Sequence, residues 1–121
     1  IDEGLVVKWI IESAALSGDE IAQLTSLIRD VVIDCVGEQK ASNVFVKTST
    51  GFYKPENGGP GGATVEDVSI MSLHAGPLKV KASGGIYSRE DLNKMVDAGA
   101  SRIGTSAGLE IIRGEKADTD Y

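Results

Sequence analysis

Two periods of apolar spacing alternate along this chain. The run Leu5-Val6-Val7-Lys8-Trp9-Ile10-Ile11-Glu12 is apolar and β-branched, which predicts a buried parallel strand. Ile21, Leu24, Leu27, Ile28, Val31, Val32 and Cys35 then recur at helical spacing. Ser17 and Glu20 have the spacing of a capping box at the start of that helix, with Leu16 and Ile21 placed for a hydrophobic staple, and Gly37 is read as its end. The cycle repeats. Val44 to Lys47 reads as a strand, and after a glycine-rich loop Thr64 caps a helix carrying Val65, Val68, Ile70, Met71 and Leu73. Leu78 to Lys81 is the next strand, and Ser88 caps a helix with Leu92, Met95 and Val96 that Gly99 closes. Arg102-Ile103-Gly104 is a last short strand and Ala107 to Ile112 a last short helix, before a polar tail over 114–121.

The pattern predicts α/β architecture: four βα units, roughly 30 residues apart, with parallel strands and right-handed crossovers over residues 1–113. A four-stranded open sheet and half of a (β/α)8 barrel both fit, since a complete barrel typically takes about 250 residues. Polar residues inside the strands favour the barrel. Lys8, Ile10 and Glu12 share one strand face by parity, and Lys79 and Lys81 share another. Charges facing an ordinary sheet core are costly, whereas at a barrel mouth they make a site.

Composition narrows the function classes. The chain has 121 residues and a formal charge of -6, which argues against nucleic acid and anionic membranes as general partners. A single cysteine, Cys35, rules out an internal disulfide, fits a reducing cytosol and, from its position on the helix stripe, is expected in the core. No apolar run is long enough to span a bilayer. The chain opens on Ile1 rather than methionine, directly before a strand, and the expectation is a truncated polypeptide.

The candidate chemistry lies at the strand ends. Lys47, in Val44-Phe45-Val46-Lys47-Thr48-Ser49-Thr50-Gly51, and Lys81, in Leu78-Lys79-Val80-Lys81-Ala82-Ser83-Gly84-Gly85, each close an apolar strand. Two neighbouring ammonium groups repel, so one amine can stay neutral near neutral pH, as Schiff-base chemistry requires. A strand-ending lysine reaching for solvent fits the same spacing. Gly84-Gly85 and Gly104-Thr105-Ser106 occupy equivalent βα turns, where backbone N–H groups and a helix N-terminus can receive a phosphate, or where the turn simply needs positive φ. The loop from Phe52 to Ala63 lacks the Gly-Lys-Ser/Thr ending of a P-loop and reads as a flexible cover or a plain connection. His74 is expected at the surface or in packing, and no spacing suggests a metal site.

The segments Val7-Lys8-Trp9-Ile10-Ile11-Glu12, Phe45-Val46-Lys47-Thr48-Ser49-Thr50-Gly51, Gly62-Ala63-Thr64-Val65-Glu66-Asp67-Val68, Val80-Lys81-Ala82-Ser83-Gly84-Gly85-Ile86 and Arg102-Ile103-Gly104-Thr105-Ser106 resemble, in order, the C-terminal half of the 2-deoxy-D-ribose-5-phosphate aldolases. The resemblance implies half of a TIM barrel from a class I aldolase, a carbon–carbon lyase that reversibly cleaves 2-deoxyribose 5-phosphate to glyceraldehyde 3-phosphate and acetaldehyde. It implies a cytoplasmic enzyme of deoxyribonucleotide catabolism that works through a covalent lysine imine, with no metal or other cofactor. By the resemblance Lys47 forms the imine, Lys81 depresses its pKa, and Tyr121 is a proton relay. Gly84, Gly85, Gly104, Thr105 and Ser106 hold the phosphate, Gly51 lines the approach, and Thr50 contacts substrate hydroxyls. The partners implied are the phosphosugar, the N-terminal half of the barrel with its catalytic aspartate, and further copies of the chain.

The sequence departs from the family pattern at Tyr87, where arginine is common, and at Lys79, where glycine is common; Glu12 is expected to balance Lys79. A non-catalytic half-barrel that binds phosphosugars or self-assembles is the alternative. Either way a half-barrel exposes two sheet edges and an apolar inner face, so the isolated chain is expected to associate, with very weak aldolase turnover alone.

Overall fold

The structure is a computed structural model that describes residues 3–116. Its sheet has four parallel strands in the order β1 (Val7–Ile10), β2 (Val44–Lys47), β3 (Lys79–Ser83) and β4 (Arg102–Gly104). Between them run α1 (Gly18–Ala41), α2 (Val65–His74) and α3 (Arg89–Asp97), and α4 (Gly108–Arg113) follows. Sequential strands pair with their sequence neighbours throughout, which is the progression of a βα barrel wall.

Local chemistry starts each helix. The Ser17 hydroxyl accepts from the Glu20 amide at 3.2 Å, and the Glu20 carboxylate accepts from the Ser17 amide at 2.9 Å, completing the capping box. Thr64 and Ser88 accept from the amides of Asp67 and Asp91, both at 3.1 Å. One core face results. Val44, Val46, Val80 and Ala82 are buried on the sheet against Ile21, Ile28 and Val32 of α1 and Val68 and Met71 of α2.

Four details differ from the sequence expectations. β1 is short and largely exposed, with Trp9 and Ile10 nearly half accessible, because it is an edge strand that pairs only with β2. β3 continues to Ser83, so Lys81 sits in mid-strand and not at its end. Gly37 takes φ 81° and kinks α1 without ending it; helical hydrogen bonding resumes as far as Ala41. Cys35 is exposed. The buried row of α1 is Ile21, Thr25, Ile28 and Val32; Leu27, Val31 and Cys35 each precede the next buried or half-buried position by one residue, about 100° round the helix, and turn outward. His74 packs between helices as expected, its Nδ1 3.5 Å from Ser26 Oγ and its carbonyl accepting from Arg29. Among the described residues no helix is long and apolar enough to cross a membrane.

Candidate active site at the carboxyl ends of the strands

Register places the two lysines side by side. Lys47 pairs with Lys81, Lys81 with Arg102, and Ile10 with Lys47, so these side chains leave one face of adjacent strands about 4.8 Å apart. Burial first, then the charges of Lys47, Lys8 and Arg102, hold the Lys81 ammonium below the ordinary lysine range. β4 leaves room for it: a Cβ on Gly104 would lie 2.9 Å from Lys81 Cε and 2.5 Å from Ser83 Oγ.

One layer lower on the same face, the Phe45 ring is in reach of two cations. The Arg102 guanidinium is 4.5 Å and Lys79 Nζ 5.9 Å from its ring centroid. Lys79 therefore rests on an aromatic face and not on Glu12. Glu12 has another job: with φ 53° it turns the chain out of β1 and its carboxylate accepts from the Thr50 amide at 3.2 and 3.3 Å.

The hydroxyls after Lys47 divide into two roles. Thr48 Oγ1 donates to the Ser83 carbonyl at 3.1 Å and accepts from the Ser83 amide at 3.0 Å, while Ser49 Oγ donates to Thr48 Oγ1 at 3.0 Å. Both residues are buried and stitch the ends of β2 and β3 together, so the turn offers substrate fewer hydroxyls than its sequence suggests. Thr50 is exposed, and its hydroxyl accepts from the Phe52 amide at 3.2 Å.

The glycine turns also divide. Gly84 and Gly85 have φ of 85° and 77°, and with Gly51 they line a cavity of about 660 Å³ under the loop between β2 and α2. That loop is anchored: the Ala63 amide donates to the carbonyls of Ser83 and Gly84, and a Cβ on Gly62 would meet the Gly84 backbone at 2.5 Å. Gly104, Thr105 and Ser106 lie outside the cavity lining. The Thr105 hydroxyl donates to the Ile86 carbonyl at 2.7 Å and accepts from the Ala107 amide at 3.0 Å, tying two βα turns together. Tyr121 lies outside the described residues.

Sequence reasoning missed Glu12 as the holder of Thr50; the loop expected as a cover does roof the cavity, bringing Tyr53 and Lys54 to its wall, with Tyr87 beside the glycine turn. The positive φ of Glu12 leaves no mark in composition; the position of Glu12 at a strand end was the available signal. Among the described residues no cluster of three His, Cys, Asp or Glu side chains could hold a metal ion.

Fold and site together define half of a parallel βα barrel with a lysine-rich inner face at its carboxyl-terminal mouth. No family model matches the chain. It is 48% identical over 120 residues to deoxyribose-phosphate aldolase 1 of Staphylococcus aureus, covering 98% of this chain and 47% of that protein, and 48% identical over 119 residues to deoxyribose-phosphate aldolase of Staphylococcus haemolyticus, with the same coverage. Among solved structures it superposes on an aldolase named QR15 with TM-score 0.66 and 37% identity, covering 88% of this chain and 41% of that one. It superposes on the tetrameric deoxyribose phosphate aldolase of Aeropyrum pernix with TM-score 0.65 and 32% identity, covering 89% and 40%. The chain is homologous to the C-terminal half of the deoxyribose-phosphate aldolases, and it spans about half the length of the curated relatives it matches.

Proposed function

We propose that this chain forms the catalytic half of a deoxyribose-phosphate aldolase, which cleaves 2-deoxyribose 5-phosphate to glyceraldehyde 3-phosphate and acetaldehyde through a lysine imine. The observation that carries the reading is the Lys47–Lys81 register pair, on the inner face of the sheet beside Lys8 and Arg102. Repulsion between adjacent ammonium groups favours one neutral amine at the pair, and a neutral amine is the nucleophile that attacks a carbonyl carbon. Water leaves, and the protonated imine takes up the electron pair released when the C–C bond breaks.

In this reading Lys47 forms the imine and Lys81 shapes its charge environment. Thr50, held through its amide by Glu12, contacts substrate hydroxyls. Gly51, Gly84 and Gly85 face the phosphate across the cavity; Gly104, Thr105 and Ser106, outside its lining, support that end only through the Thr105 bond to the Ile86 carbonyl, and Tyr121 relays protons. The reaction needs no metal or further cofactor, and its place is cytoplasmic deoxyribonucleotide catabolism. The lowered pKa of Lys81 favours a second assignment within the same reaction, with Lys81 as the imine-forming amine.

The partners proposed are the phosphosugar, an N-terminal half-barrel supplying the facing strands, and further copies of the chain. Trp9 and Ile10 on the β1 edge are the apolar surface such association would cover. Sedimentation at micromolar concentration should give a species larger than the monomer; a well-folded monomer contradicts that.

The test is cleavage of 2-deoxyribose 5-phosphate, followed by coupled reduction of glyceraldehyde 3-phosphate. The 121-residue chain alone should turn over very weakly, and adding the N-terminal half of the Staphylococcus aureus relative should raise the rate. Lys47→Met should abolish it. A rate unaffected by Lys47→Met contradicts the proposal.

A further inference from the structure

Ser83 closes β3 with its side chain fully buried, and its Oγ has no hydrogen-bond partner among the described residues. A buried hydroxyl without a partner is costly, and native structures rarely leave one. Ser13 and Thr25 share that condition, but Ser83 is the one on the sheet, and strand parity sets it on the face that carries Lys81. Its backbone is fixed: the amide donates to Thr48 Oγ1 at 3.0 Å, and the carbonyl accepts from Thr48 Oγ1 at 3.1 Å and from the Ala63 amide at 2.9 Å.

Register sets Ser83 beside Gly104. Gly104 is not among the glycines with positive φ, so its backbone does not call for glycine. Space does. A single point, the place of an added Cβ on Gly104, lies 2.5 Å from Ser83 Oγ and 2.9 Å from Lys81 Cε. The Lys81 amine is one bond beyond that Cε on a flexible stem, which brings Ser83 Oγ within its swing. The charges acting on Lys81 from β1, β2 and β4 are Lys8, Lys47 and Arg102, all cations. Glu12, the carboxylate after β1, is engaged with the Thr50 amide. An uncharged oxygen is therefore the acceptor at hand, and a hydrogen bond from an ammonium is stronger than one between neutral groups.

We propose that Ser83 is the positioning residue of the lysine pair: the Lys81 ammonium turns over Gly104 and donates to Ser83 Oγ, which keeps the proton on Lys81 and leaves Lys47 as the free amine. Burial and the neighbouring cations disfavour that proton, and the bond to Ser83 offsets them. The use of Lys47 for an imine rests on the aldolase reading; the contact between Lys81 and Ser83 rests on the geometry around Gly104.

The test compares Ser83→Ala with the parent by trace acetylation with acetic anhydride, read lysine by lysine, and by NMR titration of the labelled lysine side chains, once the spectrum has shown native dispersion. The substitution keeps both bonds to Thr48, since the Ser83 backbone makes them. In the variant Lys81 should titrate at lower pH, and its acetylation relative to Lys47 should rise about tenfold at neutral pH. Ser83→Cys, near in shape but a weak acceptor, should move Lys81 in the same direction. Adding Ser83→Ala to Lys81→Met should leave acetylation of Lys47 unchanged, because the hydroxyl acts through Lys81 alone. A Lys81 that behaves as in the parent in both serine variants overturns the proposal, as does an effect on Lys47 that persists in Lys81→Met. Borohydride trapping with 2-deoxyribose 5-phosphate separates the two levels. Ser83-dependent acetylation with no imine on either lysine keeps the contact and removes the aldolase reading; an imine on Lys47 with Ser83-independent acetylation does the reverse.

Discussion

Gly104 lies directly against the Lys81 side chain. An added Cβ would come within 2.9 Å of Lys81 Cε and 2.5 Å of Ser83 Oγ, and Ser83 is fully buried. The lysine tip can move but the serine cannot move freely, because its own amide and carbonyl are held by Thr48. Gly104→Ala is therefore expected to destabilise the fold by about 1–3 kcal/mol, the usual cost of overpacking a buried contact, and to push Lys81 out of its place beside Lys47. Denaturant unfolding together with the rate of Lys81 acylation checks both parts. Unchanged stability and unchanged acylation would show that the contact is easily relieved.

Lys81 should report the charge around it. Its pKa is lowered by burial and then by Lys47, Lys8 and Arg102. Removing either lysine charge, as in Lys47→Met or Lys8→Met, should raise the Lys81 pKa toward the ordinary lysine value, with the larger change for Lys47. Titration of the labelled ammonium by NMR reads it directly. The sign for stability follows: the unfolded chain binds the Lys81 proton more tightly than the folded one. Stability from this group is thus lowest below the folded pKa, and it rises as pH climbs from there toward the unfolded value. A Lys81 that titrates identically in parent and both variants contradicts the charge cluster.

Asp67 gives an acid-side test of the fold. Burial pushes its carboxyl up, against the hydroxyls of Thr64 and Ser13 and with help from Glu66. A raised acid pKa means that the folded state binds the proton more tightly than the unfolded chain, so this group favours folding most at low pH and loses that contribution as pH rises through the raised value. Comparing thermal midpoints of the parent and Asp67→Asn from acid to neutral pH should show the parent gaining on the variant as pH falls. The opposite trend would mean that the pull of the Thr64 and Ser13 hydroxyls on the carboxylate outweighs burial.

Much of this architecture was legible in the sequence because local chemistry carries it. Hydroxyl caps at Ser17, Thr64 and Ser88 start helices where expected, and Val44–Lys47 and Arg102–Gly104 are strands over the predicted residues. Exposure was less legible. Apolar periodicity alone does not tell Leu27 and Val31 from Ile28 and Val32, since neighbouring rows of one helix differ only in what the sheet covers. β1 reads as a buried strand because its residues are apolar, yet burial there depends on a neighbour on its open side. At the site, register put Lys47 beside Lys81, which their places on neighbouring strands anticipated. The use of Thr48 and Ser49 as a latch, Glu12 as the holder of Thr50, and Lys54 as cavity wall all arise from contacts between distant segments, which no spacing rule encodes.

The central claim is that Lys47 forms an imine with the substrate carbonyl. Borohydride reduction in the presence of 2-deoxyribose 5-phosphate, followed by peptide mass spectrometry, tests it most directly. A single reduced adduct on the peptide containing Lys47 is the predicted result. An adduct on Lys81 would reverse the roles within the pair, and adducts scattered over surface lysines, or none at all, would contradict the account.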